Sequence, residues 1–331
     1  MKALVTGATG FIGAAVARAA LAADMDVRLL VRSGADTRNV DALEATDAEV
    51  ILGDLTDHDS LQRAVAGCDA LFHVAADYRL WTPDPESMYA TNVEGTEALM
   101  RAALDAGVAR IVYTSSVATI GLEGALPADE TAIATLDDMA GHYKRSKFLA
   151  EQRVMQLVDT HNAPIVIVNP SAPVGPGDVK PTPTGKTISD IAHGRMPAYV
   201  DTGLNIVHVD DVAQGHILAL ERGIAGRRYI LGGEDMTLRE IILEVCALTS
   251  RSPPRIKLPY RLVLPIAYIL EAWARISGKP PRAPVEGVRL ARKKMFFSSA
   301  RAIDELGYRA RPASEAIAAA VEWFECSRVS G

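Results

Sequence analysis

Aromatic residues are scarce in this chain, 5% of 331 positions, and there are only three cysteines, Cys68, Cys246 and Cys326. A core with so few rings is built from Ala, Val, Leu and Ile, the composition of parallel sheets covered on both faces. The cysteines form no C-x-x-C pair and no metal-ligand spacing, which excludes a disulfide-stapled scaffold and a zinc module, and no metal is expected. Basic charge is in deficit: 35 Lys and Arg stand against 41 Asp and Glu, a net charge of −6. Nonspecific nucleic-acid binding relies on clustered cations to neutralise phosphates, so no such partner is expected. Long apolar runs are missing too. The most apolar helical stretch, Leu262 to Ala274, contains Pro265 and Glu271 and is too short to cross a bilayer. It reads as a core or pocket helix, or as a patch that touches a membrane near a lipid-like substrate. Lys2 leads straight into a strand and a glycine-rich turn, so no signal peptide is expected and the chain reads as cytoplasmic.

Hydrophobic residues make up 49%, enough for one large domain or a large domain with an appendage. In the first half, short apolar runs alternate with amphipathic stretches. Strands are expected at Ala3–Thr6, Asp26–Val31, Val50–Leu52, Ala70–Val74, Arg110–Thr114 and Pro164–Val168. Helices are expected between them at Ile12–Ala22, Asp59–Ala66, Met88–Ala106 and His142–His161. This alternation predicts an α/β fold, a doubly wound (Rossmann) parallel sheet with right-handed crossovers. Past Asn169-Pro170 the texture changes. Residues 171–186 are rich in proline and glycine, a loop that something else, often a bound ligand, must position. Asn205–His208 and Tyr229–Leu231 read as strands and Val212–Arg222 as a helix; the remainder is mostly helical, with a proline-rich break at Pro280–Pro284. The expected division is a dinucleotide-binding domain over 1–168, rejoined by 205–232, and a smaller, mostly helical substrate-binding lobe within 169–331.

The run LVTGATGFIG, residues 4–13, places Gly7, Gly10 and Gly13 at the first strand–helix junction. Backbone without side chains lets a pyrophosphate approach closely, and the helix N-terminus offers unpaired N–H groups with partial positive charge. Gly7, Thr9, Gly10, Phe11, Ile12 and Gly13 are therefore candidate cofactor contacts; the same glycines would also serve a tight turn. The second strand bears on the choice of cofactor. An acid at its end suits the ribose 2′-hydroxyl of NAD, whereas a 2′-phosphate needs a cation. Here the strand ends in Arg32-Ser33, with Arg38 beyond, which favours NADP and keeps NAD as the alternative. After the third strand, Asp54 with Leu55 beside it could accept a hydrogen bond from the adenine amino group, or simply start a turn.

Tyr143 and Lys147 are the only Tyr-x-x-x-Lys pair in the chain and share one face of a predicted helix. A free phenol titrates near pH 10, and a neighbouring ammonium favours its phenolate. The lysine can also hydrogen-bond a cofactor ribose. A serine hydroxyl at a strand end can orient a substrate carbonyl or carbinol toward the tyrosine; Ser116 is the first choice, with Ser115 and Thr114 as near alternatives. Ser115, Tyr143, Lys147 and Pro170 are further candidate cofactor contacts.

These residues resemble the extended short-chain dehydrogenase/reductase superfamily. TGATGFIG (6–13), HVAA (73–76), NVEGT (92–96), YTSS (113–116), YKRSK (143–147), NP (169–170) and HVDDVA (208–213) occur in that family's order. The resemblance implies that Asn92 supports the active-site lysine through a water and that Ala75 and Ala76 line the nicotinamide side of the cofactor. It further implies that Asp210 and Asp211 cap the helix at Val212, and that a homodimer forms through the two long helices. HVAADYRLW (73–81), GHYKRSKFLAE (141–151), PTPTGK (181–186), GRMPAYVDTGLNIVHVDDVA (194–213) and RKKMFFSS (292–299) are similar to the hopanoid-associated sugar epimerase group, itself close to dihydroflavonol 4-reductases. Two activities on a small-molecule substrate follow. An epimerase returns the hydride to the opposite face of a carbon, a sugar carbon by the resemblance; a reductase releases its oxidised cofactor after one transfer. Tyr78, Leu80, Trp81, Met196 and Tyr199 suit a hydrophobic substrate, whereas a diphosphate would need cations such as Lys180, Lys186, Arg195 or Arg289. A non-catalytic nucleotide sensor is the third reading, disfavoured because both Tyr143 and Lys147 are present.

Overall fold

Alternate residues of the apolar runs face opposite ways, and each way leads into a core. Ala3 and Val5 join one buried cluster with Val27, Leu29 and Phe72, while Leu4 joins another with Leu30, Leu71 and Ile111. A strand that must be apolar on both sides belongs to a sheet with helices on both faces. The computed structural model of the protein shows that sheet and describes residues 1–44, 48–122, 127–277, 281 and 284–326. The strands are β1 (Lys2–Thr6), β2 (Asp26–Val31), β3 (Glu49–Leu52), β4 (Ala70–His73), β5 (Arg110–Thr114), β6 (Ile165–Pro170), β7 (Ala172–Val174), β8 (Ala198–Tyr199), β9 (Gly203–His208), β10 (Arg228–Leu231), β11 (Glu234–Thr237), β12 (Ile256–Lys257) and β13 (Lys294–Met295). The α-helices are α1 (Phe11–Ala22), α2 (Arg38–Glu44), α3 (His58–Val65), α4 (Pro85–Tyr89), α5 (Gly95–Asp105), α6 (His142–His161), α7 (Pro183–Ala192), α8 (Val209–Arg222), α9 (Leu238–Leu248), α10 (Tyr260–Ser277), α11 (Val285–Leu290) and α12 (Ala313–Cys326).

Seven strands form an all-parallel sheet in the order β10-β6-β5-β4-β1-β2-β3. Helices α1 and α8 cover one face, and α3, α5 and α6 the other. The strand order reverses between β1 and β4, so their carboxyl ends open a crevice, the usual place for a ligand in such sheets. A smaller sheet pairs β9 with β7, β11 and β13 and packs on α7, α9 and α12. Strand β9 lies in this second sheet; α8 and β10 carry the chain back to the first.

Two local expectations change. The helix expected over Met88–Ala106 is interrupted: α4 runs into a π turn, Ala90–Glu94, before α5 begins. The loop 171–186 has regular structure of its own: it contains β7 and the first turn of α7, and the buried Asp178 accepts from Thr182 N (3.0 and 2.9 Å) and Thr182 Oγ1 (2.9 Å). The proline-rich break at Pro280–Pro284 falls partly outside the described residues.

Candidate functional site

The glycine turn sits at the crevice, and its three glycines have separate duties. Gly7 adopts φ +80, and a Cβ there would stand 2.7 Å from Ala75 N at the end of β4. A Cβ on Gly13 would stand 2.1 Å from Gly7 O, so α1 could not pack so close to the turn. Gly10 is the cap of α1 and offers no side-chain acceptor, and the first turn of that helix holds no acid. Its leading N–H groups, with their partial positive charge, are thus free of a competing carboxylate. Thr9 and Ile12 are half-buried and Phe11 is buried. Asn39, which no sequence signal singles out, holds the turn from outside: its Nδ2 lies 3.4 Å from Thr9 O, 3.3 Å from Gly10 O and 3.2 Å from Gly177 O.

Beyond β2, Arg32 is exposed and makes no ion pair among the described residues. Arg38 is closed on Asp36 at 2.6 Å, and this bond is the main cause holding the Asp36 carboxyl down at about 2. Asp54 Oδ1 accepts from Thr56 N (2.9 Å) and Thr56 Oγ1 (2.8 Å), the geometry of a turn-forming aspartate. Burial opposes its ionisation, but the Thr56 donors and the Arg32 charge outweigh it and keep the carboxyl below its usual range. Leu55 is buried in the core face that carries α3 and α5.

Across the crevice, α6 begins after Gly141, whose φ is +87, and Tyr143 is half-buried in its first turn. Ser116 caps a short 3-10 turn, its Oγ accepting from Ala118 N at 3.1 Å. Burial pushes the Tyr143 phenol up; the Ser116 hydroxyl beside it pulls it back, and Glu286 pushes it further up. One helical turn on, the buried Lys147 donates from Nζ to Thr114 O (2.8 Å) and Tyr113 OH (3.1 Å), 4.7 Å from that ring's centroid. Burial brings its ammonium down to about 8, against the pull of Glu151. The expected lowering of Tyr143 by Lys147 is therefore not what the structure gives: the ammonium is committed to β5, and burial governs the phenol. Of the two serines, Ser116 faces Tyr143, while the buried Ser115 hydroxyl lies by Tyr113.

Asn92 sits in the π turn and ties three segments together. It accepts from Asp77 N (2.7 Å) and donates to Asp77 O (2.8 Å) and Ser146 Oγ (2.9 Å), joining the loop after β4 to α6. An extra residue in the turn rotates Asn92 inward, which explains the interrupted helix; such turns recur at functional sites. Ala75 and Ala76 are half-buried just past β4, with Ala75 N on Thr6 Oγ1 (3.2 Å), and Pro170 is buried at the end of β6. Asp210 and Asp211 do not cap α8. The helix starts earlier, at Val209, with His208 accepting from Asp210 N (3.1 Å), and Asp211 pairs with Arg311 (2.7 Å). Met196 and Tyr199 pack against the core of the second sheet.

Two buried carboxylates escape a reading of motifs. Glu151, one turn beyond Lys147, accepts from Thr119 Oγ1 (2.9 Å) and Asn169 Nδ2 (3.0 Å) and pairs with Arg228 (3.4 Å). Its spacing from Lys147 was the available signal. Glu286 reaches in from α11 so closely that a Cβ on Gly141 would stand 1.8 Å from its Oε2. Burial pushes Glu286 up to about 8, opposed by Lys144, itself brought down by burial to about 8. No local pattern joins residues so far apart in the chain. A pocket beside Lys144 is lined by apolar side chains, among them Ile120, Leu122, Ile133, Met139 and Met295, together with the charged Asp138, Lys144, Arg289 and Lys293. Among the described residues no group of His, Cys, Asp and Glu is arranged to hold a metal, and no helix is long and apolar enough to cross a membrane.

The profile of the NAD dependent epimerase/dehydratase family matches residues 3–232. A "Putative dihydroflavonol 4-reductase" of Synechocystis sp. is 41% identical over 97% of this chain and 94% of its own length. Sterol demethylase protein B of Methylococcus capsulatus is 36% identical over 98% of each. The crystal structure of gox2253 superposes with a TM-score of 0.87, at 52% identity over 98% of both chains.

Proposed function

This chain belongs to the NAD-dependent epimerase/dehydratase (extended short-chain dehydrogenase/reductase) family of NAD(P)-dependent oxidoreductases, and we propose that it reduces a ketone on an apolar substrate, with NADP(H) as its preferred cofactor. The residues present fit a dinucleotide: Gly7 and Gly13 are required by backbone and packing, and the α1 terminus is left open to an anion. Gly7, Thr9, Gly10, Phe11, Ile12 and Gly13 would hold the pyrophosphate, Arg32 a 2′-phosphate, and Asp54 and Leu55 the adenine side. Ala75, Ala76, Ser115, Tyr143, Lys147 and Pro170 would flank the nicotinamide half. When bound, the cofactor supplies the hydride chemistry.

The protein's own part is proton management. Ser116 orients the substrate oxygen toward Tyr143, whose phenol gives its proton to that oxygen; carbinol oxidation is the reverse. Lys147 holds positive charge next to the site and restores the proton, and Asn92 fixes α6 against the loop after β4. Residues 169–204 and 233–331 serve as the substrate-binding lobe over the crevice. A homodimer through the α4–α5 segment and α6 is the assembly the family implies.

The observation that carries reduction of an apolar ketone over epimerisation of a nucleotide sugar is the state of the cations. Lys186 and Arg195 both close on Asp190 (2.5 and 2.8 Å), Lys180 lies 3.9 Å from Asp36, and Arg289 donates to Tyr268 OH (2.6 Å). A diphosphate would have to break these pairs, whereas the pocket beside Lys144 offers an apolar wall of Ile120, Leu122, Ile133, Met139 and Met295 alongside Lys144, Arg289 and Lys293. Two of the relatives are named for a dihydroflavonol and a sterol, ring compounds that carry no phosphate. The test is stoichiometry: NADPH consumed mole for mole with an aryl or polycyclic ketone is expected. Cofactor that stays bound through gel filtration and is never consumed, with a nucleotide sugar inverted, would overturn the reading in favour of an epimerase.

A further inference from the structure

Helix α10 is apolar on two sides, and only one of them is used. Ala267 is buried with Val285 and Val288 of α11, and Val263 and Leu264 pack against that cluster. On the outer side stand Leu262, Ile266, Ile269, Trp273 and Ile276, exposed by 61%, 53%, 69%, 64% and 80%. Their spacing of four, three, four and three residues puts them in one stripe along an 18-residue helix. Isolated exposed apolar residues are ordinary, but a continuous stripe of five marks a surface that is covered in use.

Charge identifies the cover. Between residues 251 and 294 the sequence has 11 Lys and Arg against two acids, Glu271 and Glu286, a local charge of +9. The rest of the chain holds 24 basic and 39 acidic residues, or −15. Arg255, Lys257 and Arg261 are exposed at the start of the helix, and Arg289, Arg292 and Lys294 are exposed on and after α11; Lys257 pairs with Asp201 at 2.8 Å. We infer that α10 docks the enzyme on an anionic lipid bilayer, lying in the headgroup plane with the stripe turned into the acyl boundary. An apolar stripe rimmed by cations is the composition of interfacial helices. A second copy of the chain on this face would set the exposed cations Arg255, Lys257, Arg261, Arg289, Arg292 and Lys294 against the same set, which disfavours it. The acidic remainder is repelled from the same surface, so a single orientation results. Arg289 and Lys293 also border the pocket beside Lys144, so this mode of docking sets the pocket next to the bilayer.

The inference is independent of which substrate the site takes, because vesicle binding is read without turnover. Full-length protein is floated with vesicles of phosphatidylcholine containing about one-third phosphatidylglycerol, and with phosphatidylcholine alone. Binding is expected to the anionic vesicles, weakening as salt rises. The triple substitution Ile266→Ser, Ile269→Ser, Trp273→Ser should weaken it at least about tenfold. The pair Arg255→Glu, Arg261→Glu should do the same by about tenfold or more through charge alone, with NADPH binding retained in both variants. Three results overturn the docking: no flotation of the wild type, flotation that neither variant reduces, or a wild-type dimer that ignores vesicles and becomes monomeric in the triple variant.

Discussion

A phenol raised by burial must release its proton only when a substrate oxygen is ready to receive it. Tyr143 meets that condition, since burial dominates its titration and Ser116 alone opposes it. Tyr143→Phe removes the proton donor and little else, so kcat should fall about 10²–10⁴-fold with the cofactor Kd unchanged; near-normal turnover would mean that another group carries the proton. Arg32 tests the cofactor end. It is exposed and without an ion pair among the described residues, so Arg32→Ala should weaken NADPH binding roughly ten- to hundredfold and leave NADH nearly unaffected. Equal loss of both cofactors would assign Arg32 to the adenine ring instead of the phosphate. At this scale the sequence was most legible where chemistry demands a rare type at a fixed spacing: the glycines at 7, 10 and 13, and Tyr143 with Lys147. It was silent on Asn39, whose three carbonyl acceptors come from two distant loops.

Glu286 fastens one element to another. Helix α11 inserts this carboxylate against the start of α6, and Gly141 is the gap that admits it. Gly141→Ala combines a side chain at φ +87 with a collision against Glu286, so the melting temperature should fall by several degrees and turnover with it, because Tyr143 lies two residues on. The carboxyl also has a pH signature. Its folded value, about 8, lies above its ordinary 4.5, so the folded state binds the extra proton between those limits. Stability from this group is complete below about pH 4.5 and is lost as pH rises through 8. Glu286→Gln keeps the shape without the titration. Its melting temperature relative to wild type should climb steadily from pH 5 to pH 8; a constant difference across that range would show that the carboxyl is not held protonated. Periodicity disclosed the main-sheet strands and the long helix α6 because each repeats its pattern over a whole element. The π turn at Ala90–Glu94 and the strands of two or three residues in the small sheet repeat nothing, and only tertiary contacts define them.

The cores of the whole molecule are unequal. The parallel sheet is sealed between two large clusters, and β1, β4, β5 and β6 contribute fully buried side chains to both. Helices α10 and α11 close on a cluster whose buried members, among the described residues, are Ala267, Val285 and Val288. Opening a segment costs the apolar burial and hydrogen bonds it must give up, so a segment with a small private core opens well before the whole protein unfolds. Hydrogen exchange on the free protein should therefore release the amides of residues 260–277 about a hundredfold or more ahead of those in β1 and β4. The buried Ala274 sharpens the comparison, since it shares the helix with the exposed Trp273 and Ile276 but belongs to the packed side. Exchange across α10 as slow as in the sheet would mean that the helix opens only with the global core, and that its exposed stripe belongs to a rigid surface.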